Sequence, residues 1–128
     1  MNLYWLSTPD NYENWFAFAK SQKKAEIFHE LAEGFDENYA KANLVCEIPK
    51  ELIVKYGLQK LKSDWPTHEM IIELGGKIIS EDNPRIVNFF GKVYIEGTCT
   101  EGIFLMKLKK LLEFMLLKYK KLNNIKLA

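Results

Sequence analysis

The sequence predicts an α+β fold: a mostly antiparallel sheet with helices packed on it and a long amphipathic helix near the C-terminus. Three observations predict it. Short apolar runs bounded by turn residues recur between Leu3 and Glu96. Segments of helical period, each with capping signals, interrupt them. The stretch from Gly102 to Lys121 then repeats apolar residues at three- and four-residue spacing.

Leu3 to Ser7 reads as a strand, closed by the turn cluster Ser7-Thr8-Pro9-Asp10-Asn11. Trp15 to Ala19 is a second strand, unbroken in apolar character and so buried on both faces. Ser21 is an N-cap for a helix running through Glu33 and ended by Gly34. The apolar arc of that helix is Ala25, Ile27, Phe28, Leu31, Ala32 and Phe35. Ala42 to Ile48 is a third strand, stopped by Pro49. A short helix fits Glu51 to Tyr56, with Gly57 ending it. Asp64 is placed to cap a helix with Pro66 in its first turn, running to Leu74 and ended by Gly75-Gly76. Lys77 to Ser80 is a strand, and Arg85–Phe89 with Lys92–Glu96 form a hairpin around Gly91.

The C-terminal helix, over residues 101–123, is apolar on too much of its circumference for one partner. Phe104, Leu105, Leu108, Leu111, Leu112, Met115, Leu116, Tyr119 and Leu122 form one stripe, about 140° wide at 100° per residue. Met106, Phe114 and Leu117 fall outside it, among Lys107, Lys110, Lys118 and Lys121. A second apolar strip beside lysines predicts a homodimer with Met106, Lys110, Phe114 and Leu117 in the contact.

At 128 residues, 48% apolar and 27% charged, residues 1–128 make one domain with enough core to need neither disulfides nor metal. The near-neutral total hides an uneven distribution. Residues 1–100 carry 11 basic against 15 acidic side chains, whereas 101–128 carry seven lysines against two glutamates. The basic end is either a solvated face or a surface for an acidic or phosphate-bearing partner. Lysines every three to four residues exclude a membrane span there. Met1-Asn2-Leu3-Tyr4-Trp5 lacks the features of a signal peptide, and Cys46 and Cys99 have no metal-type spacing. The expectation is a cytoplasmic protein with reduced thiols and Cys46 buried in its strand.

Catalytic and cofactor templates are missing: there is no phosphate loop, glycine-rich nucleotide fingerprint, nucleophile elbow or zinc spacing. No cofactor and no metal is predicted. His29 sits at the edge of the first helix's apolar arc, a place for a core histidine. His68 and Glu69 lie at the start of a helix, where an anion is favoured, but adjacent helical residues face different ways. Asp10 and Glu13 on the first loop are either solvated carboxylates or the halves of a cation site. Arg85 is the one arginine beside 17 lysines, so its planar, two-pronged donor is the feature to explain. It either anchors a ligand or pairs internally with Asp82 or Glu96.

The runs Leu3-Tyr4-Trp5-x-x-Thr8-x-Asp10, Glu13-x-Trp15-Phe16-x-x-Ala19-x-Ser21 and Phe28-His29-x-x-x-Glu33-Gly34 form a pattern with Trp65-Pro66, Leu74-Gly75, Pro84-Arg85-x-Val87 and Glu96-Gly97. The pattern, over residues 3–97, resembles that of small uncharacterised bacterial and phage proteins with no established activity. The resemblance implies a phage or mobile-element origin, in which small proteins inhibit or sequester host factors. It assigns no site, but gives His29, Trp65 and Arg85 added weight.

These residues lead to an expected binding protein that holds a nucleotide-like ligand or an acidic protein surface near Trp5, Trp65, His68 and Arg85. One alternative is an enzyme on a nucleotide substrate, resembling a minimal ADP-ribosyl-transferring fold, with Tyr4, His29 and Glu96 as participants. That fold's paired glutamates are not matched, since Gly97-Thr98 follows Glu96. Another alternative is nucleic-acid binding through Lys107, Lys110, Lys118 and Lys121.

Overall fold

The computed structural model describes residues 1–11, 13–60, 62–81 and 84–97, together with the backbone of 126–127. The predicted helix over 101–123 and its dimer residues Met106, Lys110, Phe114 and Leu117 lie outside the described residues, as do Asp82 and Cys99.

The chain builds antiparallel sheets with helices against them, an α+β arrangement, but the strands fall into two four-stranded sheets instead of one. The first has the order β3-β1-β2-β4, from Asn2–Ser7 (β1), Trp15–Ala19 (β2), Lys41–Glu47 (β3) and Ser63–Asp64 (β4). The second has the order β5-β6-β7-β8, from Gly76–Ser80 (β5), Ile86–Phe89 (β6), Lys92–Ile95 (β7) and Lys126–Leu127 (β8). All pairings are antiparallel except β7 with β8, which is parallel.

Alternation along the strands sorts side chains into two cores. Leu3, Trp5, Phe16 and Phe18 point toward the second sheet and meet Val87, Phe89 and Tyr94. Tyr4, Leu6, Ala17, Ala19 and Ala42 point the other way, onto the first helix. The first sheet is therefore sandwiched, and β2 is buried on both faces as its sequence predicts. The centre of the larger core is aromatic: the Trp5 ring lies edge-on to Phe16 at 4.7 Å and to Tyr94 at 5.0 Å.

Helix α1, Gln22–Glu33, has the predicted ends. The Ser21 hydroxyl accepts from the Lys24 N–H at 3.2 Å, and Gly34 closes the helix with φ of 74°. Its buried face follows the predicted arc only in part: Ala25 is buried and Phe28 packs on the core, but His29 and Glu30 are buried too, while Ile27 and Leu31 are exposed. The reason is polar. Gln22 donates to the Ala42 carbonyl at 2.9 Å, Glu26 accepts from the Ala42 N–H at 2.9 Å, and Glu30 accepts from the Ala40 N–H at 3.0 Å. Three side chains on one stripe thus satisfy the edge of β3, which would otherwise offer open backbone groups to another strand. That rotation turns Ile27 and Leu31 to solvent.

Helix α2, Lys50–Lys55, is joined to helix α3, His68–Glu73, by Lys55 and Tyr56 contacting the Glu73 carboxylate. The expected start of α3 is corrected. Ser63-Asp64 pairs with Ala19-Phe18 as a short strand, and Thr67, not Asp64, caps the helix by accepting from the Met70 N–H at 3.2 Å. Pro66 stays outside because it follows an extended strand, a geometry that the residue before a proline favours. Cys46 is half-buried instead of fully buried, and its burial pushes the thiol pKa up. Among the described residues no helix is long and apolar enough to cross a membrane.

The β6–β7 hairpin turns on Phe90 and Gly91, with φ of 53° and 87°. Two aromatic rings of this hairpin need two glycines beneath them. A Cβ on Gly76 would stand 2.8 Å from the Phe89 ring, and one on Gly75 would stand 2.9 Å from the Phe90 ring. Gly75-Gly76 ends α3 as predicted and also seats Phe89-Phe90.

Candidate functional site

The hairpin places Arg85 and Glu96 one step beyond the Ile86–Ile95 pair, where the Glu96 N–H donates to the Arg85 carbonyl at 3.0 Å. Their side chains meet as well. Arg85 donates to Glu96 Oε1 from Nη2 at 2.6 Å and from Nε at 3.1 Å. Glu96 is 4% exposed, and burial holds its carboxyl above the usual carboxylate range despite the opposing pull of Arg85 and of the Phe16 N–H, which it also accepts. Arg85 Nη1 reaches the Pro66 carbonyl at 3.2 Å and His68 Nδ1 at 3.1 Å.

Strand register explains why this corner needs such a pair. Because Phe18 faces Asp64 in an antiparallel ladder, the residue opposite Phe16 would be Pro66, which has no N–H to donate. The ladder stops there. Glu96 accepts the Phe16 N–H and Arg85 takes the Pro66 carbonyl. Gly97 adds a bond from its N–H to the Asn14 carbonyl at 3.1 Å. Two backbone groups at the end of one sheet are thus satisfied by an ion pair anchored on the other.

The four predicted ligand residues divide. Trp65, His68 and Arg85 come together: Trp65 and His68 flank Pro66-Thr67, and Arg85 bonds both Pro66 and His68. Trp65 is 43% exposed and lies edge-on to Phe28 of α1 at 5.1 Å, while His68 is exposed. Trp5 is elsewhere, 6% exposed in the aromatic core. Arg85 takes the internal partner that the sequence reading offered as its alternative, Glu96. His68 turns Nδ1 to Arg85, a contact in which the arginine donates and the imidazole accepts.

The three residues of the transferase-like alternative are all buried, and their partners are structural. Tyr4 receives a hydrogen bond from Asn2 at 3.2 Å, His29 bonds the Glu13 carbonyl at 2.7 Å, and Glu96 is held by Arg85. On the first loop, Asp10 accepts from the Thr8 hydroxyl at 2.6 Å and Glu13 accepts from the Trp15 indole N–H at 2.9 Å. No cluster of three histidine, cysteine or carboxylate side chains among the described residues is placed to hold a metal ion.

Sequence reasoning missed the burial of Glu13 and Glu30 around His29. The only signal for it was the indole of Trp15 two residues beyond Glu13, a donor in need of an acceptor. No protein-family model, no curated protein and no solved structure matches the chain.

Proposed function

We propose that the protein works by binding another protein, through the corner that carries Trp65 and His68, and that Arg85 and Glu96 support this corner without contacting the partner. The observation that carries the reading is the division of the four candidate residues. Two of them, Trp65 and His68, are exposed, whereas Trp5 is in the core and Arg85 is engaged by Glu96, Pro66 and His68. A nucleotide site would lose a stacking ring and its phosphate anchor by this division. An exposed tryptophan backed by Phe28, with Ile27 and Leu31 uncovered on the same helix as Phe28, suits a protein surface better. In this reading the protein sequesters or inhibits its partner. Self-association through Met106, Lys110, Phe114 and Leu117 belongs to the same proposal, on the sequence pattern alone.

Native mass spectrometry of the protein taken from cell lysate tests it. The expected result is a protein-sized additional mass that is lost when Trp65 is changed to alanine. A nucleotide-sized adduct lost in Trp65→Ala would favour the small-ligand alternative instead, and no associated mass at all would contradict the proposal.

A further inference from the structure

Among the described residues, His29 is a fully buried titratable side chain that uses only one of its two ring nitrogens. It is 0% exposed, and its Nε2–H donates to the Glu13 carbonyl at 2.7 Å, tying the Thr8–Asn14 loop to α1. Its Nδ1 has no hydrogen-bond partner among the described residues. With the proton on Nε2, the ring is a neutral imidazole whose second nitrogen faces no donor.

Two carboxyl groups act on this ring, and a third joins them through Glu13. Glu13 approaches from the loop, Glu30 is the next residue on α1, and Glu33 reaches the cluster by a hydrogen bond to the Glu13 carboxyl. Each is already engaged: Glu13 accepts from the Trp15 indole, Glu30 from the Ala40 N–H, and Glu33 is bonded to Glu13. From the segment after α1 the neighbour is the Phe35 ring, 6.0 Å between centroids. A proton added at Nδ1 would create a buried charge and a second N–H with no acceptor, both unfavourable.

We propose that His29 is a proton-operated latch, which when neutral holds the Thr8–Asn14 loop on α1 and when protonated in mild acid releases it. The closed fold binds the proton less readily than an open form with His29 in water, because burial lowers the His29 pKa more than Glu13 and Glu30 raise it. Closure is therefore fully favoured above about pH 6.5 and weakens as pH falls below that value toward the lowered pKa. Other bonds that hold the loop include the Thr8 N–H to Asn14 Oδ1 at 3.1 Å and the Asn11 N–H to the Thr8 carbonyl at 3.0 Å within it. From outside come the Gly97 N–H to the Asn14 carbonyl at 3.1 Å, the Tyr39 hydroxyl to Asp10 Oδ2 at 3.4 Å and the Glu33 bond to Glu13. The loop's surface residues Pro9, Asp10 and Asn11 would change presentation with pH.

Hydrogen exchange at the Thr8, Asn11 and Glu13 amides, corrected for the intrinsic pH dependence of exchange, tests this alongside the NMR titration of His29. Between pH 7.5 and 5.5 the protection of these amides should fall by up to about tenfold, the limit set by one proton and a pKa of about 6.5 in the open form. His29 should titrate below 6.5, and His29→Gln, which keeps a donor for the Glu13 carbonyl, should abolish the pH dependence. Should that variant not fold, the two wild-type measurements decide alone. Protection that is unchanged with pH, an equal fall in a folded His29→Gln, or a His29 titration at or above 6.5 would each overturn the latch.

Discussion

Arg85 and Glu96 are cross-strand neighbours at the open end of the β6–β7 hairpin, and their side chains satisfy backbone groups of the opposite sheet. The guanidinium meets the carboxylate at 2.6 Å and 3.1 Å and the Pro66 carbonyl at 3.2 Å, while the carboxylate takes the Phe16 N–H. Both charged side chains are largely buried, at 13% and 5% exposure. The arrangement explains why this position holds an arginine in a chain otherwise basic through lysine. One planar group supplies donors in several fixed directions, which an ammonium on a flexible stem cannot.

Removing the carboxylate should be costly. Glu96→Ala leaves Arg85 as a buried charge without its partner and the Phe16 N–H without its acceptor, a loss of about 3–5 kcal/mol. Urea unfolding measures it. Exchanging both partners at once, as Arg85→Met with Glu96→Leu, should cost less than Glu96→Ala alone, because no unpaired charge remains. A double variant no better than the single one would mean that the pair is not the organising contact at this corner.

Phe90 sits at φ of 53° with 75% of its surface exposed, a conformation that bulky residues rarely adopt. Phe90→Asn should relieve that strain and raise stability by about 0.5–1 kcal/mol, since asparagine accepts the left-handed region. Thermal melting reports the sign. A lower melting temperature would show that the seating of the Phe90 ring on Gly75 outweighs the strain.

The two-faced pattern of residues 104–122 makes its own prediction. The wild type should scatter light as a dimer at tens of micromolar, and Met106→Glu combined with Leu117→Glu should give a monomer with an unchanged circular dichroism spectrum. A wild-type monomer under those conditions would remove the dimer from the proposal.

Local rules were enough to read much of the fold. Ser21 and Gly34 bracket α1 because capping and left-handed closure are decided within one turn of chain, and the Phe90-Gly91 hairpin follows from the strands on either side of it. The first turn of α3 was misread because Asp64 and Thr67 are both capping residues, and only the pairing of Ser63-Asp64 with β2 chooses between them. The orientation of α1 was misread in part, for a longer-range reason. Gln22, Glu26 and Glu30 are drawn to the backbone of β3, which no periodicity within the helix reveals. At the candidate site the sequence singled out Trp65, His68 and Arg85, which do lie together. It also put Trp5 there, because an aromatic at a strand position looks the same whether it faces a core or an opening.

The most direct measurement takes stability and partner retention from the same preparation of Arg85→Lys. Lysine cannot reach Glu96, Pro66 and His68 together, so the variant should lose about 1–3 kcal/mol and melt several degrees lower. The associated mass retained per folded molecule in native mass spectrometry should stay that of the wild type. An unchanged melting temperature with the associated mass lost would contradict the account, placing the Arg85 guanidinium in the partner contact and not beneath it.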